Sequence, residues 1–131
     1  MKFKILLGTL ALIASTAALD VQAGLREPRP VQIDLTNKLA SGALGDVRDS
    51  ADANQTIGCQ RNAVIGAAPA IGCRARAATG GYVGCNSTDA DLVSVVANIG
   101  SDSYIQFGWD NAGTCRFIVV DNDSRWVPKN P

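Results

Sequence analysis

The chain contains no histidine. That excludes Ser-His-Asp and Cys-His nucleophilic catalysis in their ordinary form, and with them zinc sites that use imidazole ligands. It has no GxxxxGKS pattern and no CxxC, so neither a P-loop phosphate cradle nor a dithiol redox centre of the usual kind is encoded. A surplus of one charge is also missing, with 12 Lys and Arg against 12 Asp and Glu. Nucleic acids and other polyanions are held by clustered cations, and this balance points away from them.

Apolar runs of membrane-spanning length are absent. The opening "MKFKILLGTLALIASTAALDVQAG" has Lys2 and Lys4, an apolar stretch from Ile5 to Ala14, and the small-residue ending Val21, Gln22, Ala23. This is the layout of a secretory signal peptide over residues 1–23, with cleavage expected between Ala23 and Gly24. Ser15, Thr16 and Asp20 interrupt it before the roughly 20 residues that a membrane span requires. No later stretch has the length for membrane insertion, and no cysteine lies near the cleavage point to carry a lipid. Residues 24–131 are expected to form a single small domain, secreted or periplasmic, with one acidic group in excess once Lys2, Lys4 and Asp20 are gone. A chain of that size buries roughly 60–70% of its unfolded surface.

What is present begins with four cysteines, Cys59, Cys73, Cys85 and Cys115. Structural zinc sites draw their ligands in pairs about two to four residues apart, and these cysteines are spread much more widely. In an exported chain disulfides form and persist, so the four read as two bridges, with no metal and no cofactor expected. Three pairings are formally open. Adjacent strands favour Cys59 with Cys73, leaving Cys85 with Cys115, and the rival joins Cys73 to Cys85 across one hairpin.

The alternation of Val31, Ile33 and Leu35 with Gln32 and Asp34 predicts a half-buried strand. The Gly-, Ala- and Asp-rich stretch that follows reads as irregular, or as holding one short strand around Leu44 to Arg48. "TIGCQRNA" and "AIGCRARA" each place an aliphatic residue and a cysteine on one strand face, with "GAAP" between them as turn residues. "RAATGGYVGC" reads as a hairpin about its paired glycines. In "NSTDADLVSVVANIGSDS", Leu92, Val95, Val96 and Ile99 share one helical face, Ser87 or Thr88 suits the N-cap, and Gly100 a stop; its valines also allow a strand. Finally "SYIQFGWDNAGTCRFIVVDN" predicts two strands about a turn containing Gly113. With Phe107 opposite Phe117, one face would hold Ile105, Phe107, Trp109, Cys115, Phe117 and Val119. The fold class expected is therefore mainly β, a small disulfide-stapled antiparallel sheet or sandwich with one short helix, or α+β as the alternative label.

Candidate functional residues are few. "GDVRDSADAN" gathers Asp46, Arg48, Asp49 and Asp52, which could bind a partner or, if two carboxyl groups stood about 5–9.5 Å apart, serve a small hydrolase. Asp residues also serve solvated turns, and the spacing does not match an EF-hand loop. Trp126, in a polar proline-bearing tail, is expected to be exposed and able to anchor a protein or a glycan. Asn-x-Ser/Thr sequons at Asn54, Asn86 and Asn122 would matter only in a eukaryotic secretory pathway. Taken together, "SGALGDVRDSADANQTIGC", "GCRARAATGGYVGC" and "SDSYIQFGWDNAGTCRFIVVDNDSRWVPK" resemble small exported proteins of Gram-negative bacteria. The resemblance implies a periplasmic or extracellular location and supplies no substrate or catalytic residue. With no recognisable catalytic set, the leading expectation is a non-enzymatic exported binding or inhibitory module acting through its loops; a carboxylate-dependent hydrolase and a structural envelope component are the alternatives.

Overall fold

The computed structural model describes residues 24–127, so the expected leader and its cleavage point lie outside the described residues. Among the described residues, seven strands form two antiparallel sheets. The first contains β1 (Gln32–Asp34), β2 (Leu39–Ala43), β6 (Tyr104–Trp109) and β7 (Cys115–Asp121), in the order β1-β2-β6-β7. The second contains β3 (Thr56–Asn62), β4 (Ala70–Arg76) and β5 (Tyr82–Ser87), in that order. Two short helices connect them, α1 (Leu44–Arg48) and α2 (Ala90–Val96), and a 3-10 turn at Ser124–Trp126 ends the described chain.

Inward residues of both sheets enter one hydrophobic cluster, among them Ile57, Ile71 and Cys73 from one and Ile105, Phe107 and Ile118 from the other. Helix α2 packs on β7, β3 and β4. As its spacing predicts, Leu92, Val95, Val96 and Ile99 all meet the cluster. Its cap is Asp89, whose carboxylate accepts from the amides of Asp91 and Leu92. Ser87, one of the two residues expected to cap, instead accepts from the amide of Asp89, and the helix ends at Val96, ahead of Gly100.

Two local expectations are corrected. Leu44–Arg48 is a helix, and the strand lies just before it at Leu39–Ala43. That strand is written in small residues, and a side chain on Gly42 would come into contact with Ile57 Cγ2 and the Val31 backbone at 3.4 Å. Ala40 and Ala43 are fully buried without contributing much apolar area, so alternation is faint to a pattern reading.

The second correction concerns the β6–β7 register. Trp109 pairs with Cys115 while Gly108 pairs with Phe117, a β-bulge that leaves Arg116 as the extra residue. One added residue reverses the facing of everything beyond it. Phe107 therefore lies opposite Ile118, not Phe117. Ile118 is buried, whereas Phe117 and Val119 point outward, 37% and 44% exposed. The outward Phe117 ring lies over Gly108, where a side chain would collide with it, so it covers backbone that the glycine leaves bare.

Candidate functional site

The bridges are Cys59–Cys73 and Cys85–Cys115. Cys59 and Cys73 are register partners on β3 and β4, and the second bridge ties β5 of one sheet to β7 of the other. The rival pairing was a close one: Cys73 and Cys85 are also register partners, and the sulfurs of Cys73, Cys85 and Cys115 lie within 4.8 Å of one another. All four cysteines are consumed in disulfides, which makes this cluster scaffold.

The Asp46–Asp52 segment is committed internally. Asp46, with its side chain 8% exposed, forms an ion pair with Arg26 and accepts from the Arg29 amide at 2.7 Å. Arg48 reaches away to Asp102 at 2.8 Å and the Ser101 carbonyl at 3.2 Å, with Asp49 only at 3.9 Å. Asp52 accepts from the amides of Asn54 and Gln55, both at 2.8 Å, and from the Gln55 side chain at 2.5 Å. These hydrogen bonds, the Gln55 side chain first, hold its carboxyl at about 2. A general acid needs the opposite displacement.

The sign gives a pH prediction. A carboxyl with a lowered folded-state pKa contributes stability above its unfolded value, about 4, and that contribution is lost as pH falls through about 2. Asp52→Asn is therefore expected to flatten the acid limb of a stability-against-pH curve between about pH 4 and 2, leaving the neutral region on a plateau. An unchanged acid limb would show that Asp52 makes no such contribution.

Trp126 is buried, 4% exposed, which corrects the expectation of an exposed tail residue. Its ring stacks on Tyr104 with centroids 5.0 Å apart. The guanidinium groups of Arg125 and Arg29 lie 4.8 and 5.8 Å from the ring centroid. Arginine stems readily cover apolar surface while their heads stay wet, and Arg29 comes from the opposite end of the described chain. Arg48 and Asp52 line a depression of about 390 Å³ with Leu44, Gln55, Thr56 and Ser101. Asp46 and Trp126 stand apart from it and are linked to each other through Arg29. The five residues singled out from sequence thus form no single concave surface.

A different feature stands free. From Ala63 to Ala70 the chain reads AVIGAAPA, eight consecutive residues without a polar side chain, and residues 63–69 are all exposed. Val64 is 65% exposed and Ile65 completely so. The chain reverses here in a tight turn, with the Ala67 amide donating to the Val64 carbonyl at 3.1 Å and Gly66 at φ +84°. Glycine accepts that left-handed conformation where a side chain would be strained. No known protein family, curated protein or solved structure matches this chain.

The strands of this hairpin carry a local charge that the overall balance conceals. β3, β4 and β5 contain Arg61, Arg74 and Arg76 and no acidic residue. Among the described residues Arg26, Arg29, Arg48 and Arg125 are ion-paired, whereas none of the three hairpin arginines is. Arg76 instead lies over the exposed Tyr82 ring, 5.7 Å from its centroid. The signal available in the sequence is the uninterrupted apolar run itself, since a turn flanked by strands is ordinarily polar.

Proposed function

We propose that this protein is an exported, secreted or periplasmic, binding module of the cell envelope whose contact surface is the β3–β4 hairpin. The observation that carries the reading is the exposed apolar tip, residues 63–69, on a hairpin braced by the Cys59–Cys73 bridge. Exposed aliphatic side chains in a contiguous group mark interaction sites, and holding the tip on a cross-linked pair of strands reduces the ordering entropy that binding must overcome. The aspartates and Trp126 support the scaffold in this reading; the tip does the binding.

The same turn bears on what kind of binding this is. A segment read by strand addition must present several consecutive extended residues. Here the backbone folds back between Val64 and Ala67, which favours insertion of side chains into an apolar environment over presentation of a substrate-like strand.

Replacing Val64 and Ile65 together with serine tests the reading. Both side chains are largely or wholly exposed, so the double variant is expected to fold with stability within about 0.5 kcal/mol of wild type. It should lose co-sedimentation with washed envelope fractions of the producing cell, which the wild type retains. Equal sedimentation of the two proteins, or none by either, would count against the hairpin as the contact surface.

A further inference from the structure

We infer that the surface met by the hairpin is an anionic lipid bilayer, with the tip of residues 63–69 seated among the headgroups and upper acyl chains. This rests on the reading of the hairpin as contact surface and names its partner class. The tip offers only aliphatic side chains and glycine, so none of its side chains would need a polar partner in a nonpolar phase, while its backbone amides other than Ala67 require the hydrated headgroup level. No spanning length is required, because interfacial elements reach only about 5–10 Å into the headgroup and acyl boundary.

The charge arrangement favours lipid over a protein cleft. Arg61 and Asn62 sit where the tip begins, and the arginines continue along the strands with no acidic residue on β3, β4 or β5; Asp89, just beyond β5, lines a depression with Ala70, and its carboxylate is committed to the amides that open α2. At about 3.3 Å per residue, Arg61 stands roughly 7 Å from Ala63, Arg74 about 13 Å from Ala70, and Arg76 about 20 Å from it. The attraction of an anionic leaflet falls off within a Debye length of about 8–10 Å. The three arginines are consequently graded: Arg61 within the headgroup layer, Arg74 at the edge of its reach, Arg76 beyond it.

Sedimentation with vesicles provides the test, using phosphatidylcholine alone and an equimolar mixture with phosphatidylglycerol. The full protein is expected to partition to the mixed vesicles and only weakly to phosphatidylcholine. Val64→Ser with Ile65→Ser should lower that partition roughly tenfold or more. Arg61→Gln should lower it about fivefold, Arg74→Gln less, and Arg76→Gln by less than about twofold. Thermal unfolding of each variant is followed alongside to confirm an intact fold. Absence of vesicle binding, with tip-dependent binding to envelope fractions preserved, would overturn the lipid assignment in favour of a protein partner and leave the contact surface standing. Equal losses for all three arginines with no effect of the tip variant would also overturn it, as diffuse charge attraction without insertion. Failure of the tip variant to matter in either assay would remove both readings.

Discussion

Trp126→Ala is expected to destabilise the protein by about 3–5 kcal/mol, the range for truncating a buried large aromatic residue. For a domain near this size that lowers the melting temperature by roughly 10–20 °C. The deletion would strip the stacking partner from Tyr104 and leave the guanidinium groups of Arg29 and Arg125 facing a void. It would also release the N-terminal segment, whose Glu27 amide donates to the Arg125 carbonyl at 3.3 Å and whose Glu27 side chain pairs with Arg125. Trp126→Phe separates burial from indole chemistry. Among the described residues the buried indole N–H has no hydrogen-bond partner, so phenylalanine removes a donor unsatisfied there while keeping an aromatic face, and the cost should stay under about 1.5 kcal/mol. Chemical denaturation of both variants decides it. A Trp126→Ala effect within about 0.5 kcal/mol, as for an ordinary surface position, would contradict the buried clasp.

The second large effect belongs to the inter-sheet bridge. Replacing Cys85 and Cys115 together with alanine is expected to cost about 4 kcal/mol, against about 3 for Cys59 with Cys73, because the closed loop in the unfolded chain is longer. The sequence separations are 30 and 14 residues. Position reinforces the ordering: Cys59 and Cys73 join strands already paired along seven residues in register, while Cys85 and Cys115 link two sheets that meet through the shared core and, in backbone pairing among the described residues, at the isolated bridge between Asn86 and Thr114 beside them. Alanine is the better replacement, since serine would bury a hydroxyl at Cys85 and Cys115, which are 2% and 4% exposed. Urea unfolding of the two double variants should rank them in this order, and a larger loss for the Cys59–Cys73 pair would refute it.

The legible parts of this fold were those written in local chemistry. Gly113 at φ +77° closes the β6–β7 turn as its position predicts, and the aliphatic-Gly-Cys steps place Ile57, Ile71, Cys73 and Cys85 in the core cluster, with Cys59 and Val83 packed against it. Helix α2 follows from four apolar residues at helical spacing. What escaped depended on contacts distant in sequence or on a single extra residue. The bulge at Arg116 is invisible because Phe117 and Ile118 are both apolar, so either register leaves an aromatic or aliphatic residue facing in. Trp126 looks like a tail residue until Arg29 and Tyr104 are brought over it. Of the candidate site, the sequence shows Asp46, Arg48, Asp49 and Asp52 as a cluster, but Arg26 and Arg29, which hold Asp46, and Asp102, which holds Arg48, lie outside it, so their pairing is not visible locally. The apolar tip is legible as a run without polar side chains at a turn, a place that is ordinarily polar.

Hydrogen–deuterium exchange, with and without envelope membranes, locates the contact surface most directly. In the free protein the tip amides should exchange quickly, since from Ala63 to Ala68 only Ala67 donates to a turn carbonyl. Added membranes should slow exchange across residues 63–70 and leave residues 44–52 and 121–127 unchanged. Protection appearing at Asp46–Asp52 and Trp126, with the hairpin tip still exchanging freely, would contradict the proposed surface and return the binding role to the residues first singled out.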